Sequence, residues 1–334
     1  MRAMRAERPG PADSSPLRPV ELPMPVPQRG QIRVRVGWCG VCLTDLHVVE
    51  ADLPWRGPVV PGHQVVGTVD ACGPAASRFG EGDAVGVAWL WSTCGSCAHC
   101  AAGRENLCEQ ARFCGYDVHG GYAEFLVVPE EFAYALPPEA RGPDAPPLLC
   151  SGIIGYRALK LCGVRPGGRL GIFGFGASAH VTIQVAVHRG CQVYVFSRGQ
   201  SHRRLAEELG AVWTGLAEET PPAKLDAAIV FAPSGPVVRE ALRLLDRGGT
   251  VTVAGIHLSP IPELDYRAHL YYERCVRSVA NNTREDGREL LALAAEIPIK
   301  TRTRVFPLEA ANEALSAVKH SRIDGAAVLE IASA

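Results

Sequence analysis

The sequence predicts a two-domain α/β protein: a β-rich first domain and a second domain built on a doubly wound parallel sheet. Three observations predict it. The 334 residues exceed the usual reach of one domain. The first half carries short runs that alternate polar and apolar residues, parted by Gly-rich turns. After about residue 150, short apolar runs alternate with helical ones, the pattern of parallel strands covered on both faces.

In the first half, residues 31–36 alternate as a half-buried strand does. Residues 65–69, 84–88 and 123–128 are further short strands, separated by turns such as Gly80-Glu81-Gly82-Asp83 and Gly120-Gly121. The Pro-rich stretch from 9 to 27 reads as an extended lead-in. In the second half the expected strands are 169–173, 192–196, 225–231, 250–255 and 276–280. The expected helices between them are 179–188, 201–209 and about 237–245. A helix at 308–315 and a strand at 326–331 could return to the first domain. The expected boundaries are therefore 1–150 with 282–334 for one domain and 151–281 for the other.

Composition is that of a soluble globular chain, 47% hydrophobic and 21% charged. A net charge of -1 gives no electrostatic grip on nucleic acid or an acidic membrane. No apolar run is long enough to span a bilayer. Met1 to Pro9 carries charges but no apolar core, so a secretory signal is not expected and the cytoplasm is. Twelve cysteines without an export signal point to metal in a reducing compartment rather than to disulfides.

Five of those cysteines, Cys94, Cys97, Cys100, Cys108 and Cys114, fall close together. Cys94, Cys97, Cys100 and Cys108 have spacings that can close a tetrahedron of thiolates around Zn²⁺ with no open position. Gly95 and Gly103 permit the tight turns. Such a site stabilises a loop. A zinc ribbon for nucleic acid is the rival use, but the basic, aromatic-interleaved surface it needs is missing.

A glycine-rich run opens the second domain. Gly174-Phe175-Gly176-Ala177-Ser178-Ala179 follows a strand and begins a helix. Gly174 makes the turn, Gly176 admits a pyrophosphate to the backbone, and Ala179 keeps the helix close to the sheet. The helix N-terminus, including Ala177 and Ser178, offers free N–H groups to phosphates. The next strand ends at Ser197-Arg198 rather than at an acidic residue. Without a carboxylate for the ribose 2′-hydroxyl, and with Arg198 suited to a 2′-phosphate, NADP(H) is expected over NAD(H) or beside it. The alternative is that Arg198 points to solvent.

Three dispersed residues complete the set: Cys42 in Cys39-Gly-Val-Cys42-Leu-Thr44-Asp45-Leu-His47, His63 in Pro61-Gly-His63-Gln64, and Cys150 in Leu148-Leu-Cys150-Ser-Gly152. Singly each is an ordinary core or surface residue. With the cysteine knuckle and the glycine-rich turn, the chain resembles, end to end, the zinc-containing medium-chain alcohol dehydrogenases. The resemblance implies a GroES-like catalytic domain beside a Rossmann cofactor domain. It implies that Cys42, His63 and Cys150 bind a catalytic zinc, so two zincs per chain are expected. Three protein ligands leave a fourth position for substrate, where a Lewis acid eases loss of the alcohol proton before hydride passes to the nicotinamide. Thr44 matches the hydroxyl that receives that proton. The relay runs on through the cofactor ribose to the position of His47. Asp45 matches a carboxylate that orients the ligand histidine. For Thr44 and Asp45 the plain alternative is turn and capping chemistry.

The sequence departs from the family at Gln64, where a Glu is usual. A neutral amide cannot act as a transient anionic ligand. The resemblance also places Ile256 beside the nicotinamide and Leu53, Trp55, Leu90 and Trp91 around the substrate. Apolar walls suit hydrophobic primary alcohols or aldehydes, though core packing explains such residues equally well. The implied enzyme interconverts alcohols and aldehydes or ketones and assembles as a homodimer or homotetramer. A relative acting on polyols or aromatic alkenals is the near alternative. A nucleotide-binding protein with structural zinc alone is the distant one.

Overall fold

The computed structural model describes residues 1–323 and 325–332. The chain forms two compact units, Met1–Cys150 with Thr283–Ala334, and Ser151–Asn282.

The first unit is organised around the eleven-residue strand Gln31–Val41. Ile32, Val34 and Val36 alternate into the core, all at 0% exposure. The strand pairs antiparallel with Gln64–Cys72 and, over its first half, with Phe125–Pro129. Over its second half it pairs antiparallel with Ala326–Glu330, which lies parallel to Thr303–Pro307. Ala84–Val87 and Ala133–Ala135 extend the other side of the sheet. A register shift between Val36 and Trp38 changes the phase of the alternation before the strand ends at Val41. The segment after that strand folds as the short helix Leu43–Val49.

The expected Pro-rich lead-in differs from the structure. Leu17–Glu21 is a strand that pairs antiparallel with Arg2–Ala6. Leu17 is buried and most of its successors are exposed, so this two-stranded ribbon has too little apolar patterning to be read from residues alone.

The second unit is a six-stranded parallel sheet in the order Ala211–Gly215, Gln192–Phe196, Arg169–Phe173, Leu225–Val230, Leu245–Val253, Cys275–Ser278. The first strand in the chain is central and the order reverses beside it, the doubly wound arrangement that leaves a crevice at the carboxyl ends of the strands. The central strands are apolar on both faces because helices cover them, including Ser151–Cys162, Ala177–His188 and Gly235–Leu244. Phe173 and Phe196 stack with ring centroids 4.1 Å apart, locking neighbouring strands together. Among the described residues, no helix is long and apolar enough to cross a membrane.

Candidate metal and cofactor sites

The dispersed cluster is built where Gln31–Val41 gives way to Leu43–Val49. Cys42 caps that helix. Its sulfur accepts the Thr44 N–H at 3.3 Å, and its own N–H donates to Asp45 Oδ2 at 2.9 Å. This reciprocal cap fixes both side chains. The other carboxylate oxygen, Asp45 Oδ1, accepts the Gly62 N–H at 3.1 Å and His63 Nδ1–H at 3.2 Å. Gly62 has φ +101°, and a Cβ there would stand 2.5 Å from the Tyr122 ring, so only glycine brings the chain this close.

With Nδ1 committed to Asp45, His63 turns Nε2 toward two sulfurs. It lies 3.4 Å from Cys42 Sγ and 3.3 Å from Cys150 Sγ. All three ligand atoms lie within 4.8 Å of one another. Tetrahedral zinc, with bonds of about 2.3 Å to sulfur and about 2.0 Å to nitrogen, sets S···N separations of about 3.5 Å. The donor set therefore fits that ion. His63 and Asp45 are both buried. The electrostatics are those of a site that wants a cation. Hydrogen bonding to Cys150 and the charge on His63 hold the Cys42 thiol well below its usual range against burial. Burial opposes the charge on His63, but the Cys42 and Asp45 charges outweigh it and raise His63 to about 10.

The second cluster is local. The sulfurs of Cys94, Cys97, Cys100 and Cys108 all lie within 4.8 Å of one another. Cys108 Sγ sits 3.5 Å and Cys100 Sγ 3.9 Å from Cys94 Sγ. Backbone N–H groups of the loop point at the sulfurs, Cys97 N–H to Cys94 Sγ at 3.3 Å among them. Those of Ser96 and Cys97 bring the Cys94 thiol down to about 6. Gly95 at φ +72° and Gly103 at φ +67° make the turns. Four sulfurs leave no place for a reacting molecule.

The cofactor turn lies in the second unit. Gly174 has φ +88°, and a Cβ there would sit 2.8 Å from the Ala232 nitrogen. A Cβ on Gly176 would meet nothing within 4 Å, so the backbone faces open space at the start of Ala177–His188. No side chain caps that helix and no acid stands in its first turn, which leaves its N–H groups to an anion. Ala177 and Ser178 are half-buried, and Ala179 is buried against the sheet. Ser197 is buried and Arg198 exposed. The guanidinium of Arg203 donates to the carbonyls of both, at 2.6 and 3.2 Å, adding a second cation that the sequence reading did not single out.

Comparison with known proteins decides what these sites belong to. Residues 28–138 match the family model of the alcohol dehydrogenase GroES-like domain, and residues 177–296 that of the zinc-binding dehydrogenases. A probable alcohol dehydrogenase, AdhA, of Mycobacterium tuberculosis is 50% identical over 99% of this chain and 97% of its own. An alcohol dehydrogenase of Geobacillus stearothermophilus is 33% identical over 95% and 96%. The chain belongs to the zinc-containing medium-chain alcohol dehydrogenases. A cobalt- and zinc-bound thermostable alcohol dehydrogenase from Pyrobaculum aerophilum shares the fold, with TM-score 0.88 and 26% identity over 99% of each chain. The dehydrogenase is thus a zinc-dependent, NAD(P)-dependent alcohol oxidoreductase.

In this alcohol dehydrogenase Thr44 is buried beside Cys42, and His47 is half-buried on the same short helix. Leu53 and Trp55 are half-buried. Leu90 corrects the sequence reading: at 2% exposure it packs inside the apolar core and walls no open space. Trp91 packs against that core, donates Nε1–H to the Val127 carbonyl at 2.9 Å, and lies under the Arg112 guanidinium. The aromatic ring beside His63 is instead Trp89, edge-on at 5.0 Å and stacked between Phe113 and Tyr116. Strand alternation would face Trp89 and Trp91 alike; Trp89 differs because it lies in the bend before Leu90–Ser92 rather than in the strand. Ile256 is 68% exposed on the second unit.

Proposed function

We propose that this dehydrogenase interconverts hydrophobic primary alcohols and their aldehydes with NADP(H), at a zinc held by Cys42, His63 and Cys150. The convergence of two sulfurs and one buried imidazole within 4.8 Å, three donors among the described residues, is the observation that carries this reading. A Lewis acid bound there would ease removal of the alcohol proton and polarise the carbonyl in reverse. The protein's own groups do the rest. Asp45 holds His63 in one tautomer and orientation. The Thr44 hydroxyl takes the alcohol proton in a hydrogen bond, and His47 passes it to solvent. Gln64 is neutral, so no step through an anionic ligand at that position is assigned.

The four-cysteine loop holds a second, structural zinc in this reading, giving two per chain. Gly174, Gly176, Ala177, Ser178 and Ala179 cradle the pyrophosphate, with Ile256 beside the nicotinamide. Ser197 with Arg198, supported by Arg203, accepts a 2′-phosphate. Residues 1–150 with 282–334 form the catalytic domain and 151–281 the cofactor domain. Leu53 and Trp55 border the substrate. The exposed edge strand Cys275–Ser278, near exposed Tyr266, Tyr271 and Tyr272, supports assembly as a homodimer or homotetramer. Thiols kept as metal ligands suit the cytoplasm.

Metal analysis and cofactor kinetics test the proposal together. Two zincs per chain are expected; a single zinc retained in the Cys42→Ser variant and in the wild type alike overturns the dispersed site. kcat/KM is expected to be about tenfold or more higher with NADPH than with NADH. A clear NADH preference overturns the assignment of Arg198.

A further inference from the structure

The short helix that carries Cys42, Thr44 and Asp45 also carries His47, and its imidazole is not free. His47 Nδ1 lies 2.8 Å from Asp52 Oδ2. A carboxylate only accepts, so Nδ1 carries the hydrogen. The contact depends on a sharp reversal of the chain. Leu43–Val49 ends, Glu50 donates its N–H back to the Leu46 carbonyl at 2.8 Å, and Ala51 then takes φ +60°. That left-handed conformation is unfavourable for alanine. It folds the chain back so that Leu53 N–H reaches the His47 carbonyl at 3.2 Å and Asp52 comes to face the ring.

A neighbouring carboxylate, Glu50, is otherwise employed. Its Oε1 accepts the Ala12 N–H at 2.7 Å and the Lys319 ammonium at 2.8 Å. Lys319 is also 3.4 Å from Asp13, which in turn binds His320 at 2.9 Å. Lys319 and His320 therefore have their own partners, and Asp52 faces His47. A left-handed residue just past a helix end is a common helix stop, and here its consequence is that the chain turns Asp52 onto the His47 ring.

We infer that Asp52 is a positioning residue for the reaction. Its carboxylate pins His47 in the Nδ1–H tautomer, leaving Nε2 as the nitrogen that receives and releases the proton. This rests on the reading of His47 as the end of the proton path. Sequence reasoning passed over Asp52 because nothing in its spacing from His47 signals a contact; the left-handed turn at Ala51 creates it.

A double-mutant cycle in the zinc-loaded enzyme tests this, together with ring-nitrogen NMR of histidine-labelled protein. His47→Gln is expected to lower kcat about a hundredfold and Asp52→Asn about tenfold, with KM for alcohol and zinc content little changed. In the His47→Gln background, Asp52→Asn is expected to add no further loss. The spectrum should show His47 as the Nδ1–H tautomer in wild type and as a mixture in Asp52→Asn. An equal loss from Asp52→Asn in both backgrounds, or an unchanged tautomer, overturns the role of Asp52. A full-rate His47→Gln variant overturns the proton path itself and the positioning role with it.

Discussion

The two cysteine-bearing clusters use the same kind of ligand atom and differ in almost everything else. Cys94, Cys97, Cys100 and Cys108 come from one loop, the first three half-buried and Cys108 buried, and are steadied by backbone N–H groups. Cys42, His63 and Cys150 come from three separated segments around a buried imidazole that a buried carboxylate orients. The local cluster closes on four sulfurs. The dispersed one stops, among the described residues, at three donors. A loop can bring four thiolates together by itself, but it cannot also supply a dry wall, a fixed tautomer and a neighbouring hydroxyl. Those need the sheet to deliver residues from distant positions, and this is why the proposed reacting site is the one scattered along the chain.

That contrast predicts opposite outcomes for two equivalent substitutions. Cys42→Ser is expected to lower kcat/KM for alcohol by about a thousandfold or more, the several kcal/mol that Lewis-acid assistance supplies, while cofactor binding persists. Cys97→Ser is expected to cost stability on the order of several kcal/mol while leaving kcat near wild type at low temperature. Steady-state kinetics, cofactor fluorescence and thermal melts separate the two. If Cys97→Ser loses turnover with its fold and melting temperature intact, the division of labour fails.

The same contrast explains what the sequence disclosed. The cysteine knuckle is legible because its geometry is local, and spacing alone brings the sulfurs together. The central strands Arg169–Phe173 and Gln192–Phe196 are legible because burial on both faces demands continuous apolar runs. The helix Ser151–Cys162 is not. Gly152 and Gly155 weaken its helical signal, and Gly155 is there for a tertiary reason, since a Cβ would collide with Thr182. The helix Arg284–Glu296 did carry a signal, the Thr283–Asp286 capping box, which was passed over. Cys42, His63 and Cys150 stood out only through family resemblance, because no spacing rule joins positions so far apart. Leu90 was misplaced because strand facing decides between neighbours, and a short strand holds too few residues to show its phase.

The dispersed cluster should also respond to pH. A ligand must be deprotonated before it binds metal. Metal-free His63 is raised to about 10 by the Cys42 and Asp45 charges, so at neutral pH it holds a proton that zinc must displace. Raising the pH below that value therefore favours loading, by about tenfold per unit from this group alone, or about a hundredfold between pH 6 and 8. Cys94, brought down to about 6 by backbone N–H groups, is already mostly thiolate at neutral pH and adds little to such a slope there. Chelator competition is expected to show at least this slope at the dispersed site. Zinc affinity there that does not change between pH 6 and 8 would contradict the charge assigned to His63.

The smallest effect lies one layer behind the dispersed ligands, where the local cluster has only backbone to offer. Asp45 accepts three hydrogen bonds, from Cys42 N–H, Gly62 N–H and His63 Nδ1–H. Asparagine keeps one carbonyl oxygen to receive from Gly62 and His63. It loses the negative charge and turns its amide toward the Cys42 N–H, two donors facing each other. The histidine should stay oriented while its basicity falls. Asp45→Asn is therefore expected to weaken zinc at the dispersed site about tenfold, the low end for partners that orient a metal ligand. The four-cysteine zinc should be untouched. A loss as large as that of Cys42→Ser would mean that Asp45 shapes the whole turn rather than one imidazole, and that the dispersed site depends on its supporting layer as heavily as on its ligands.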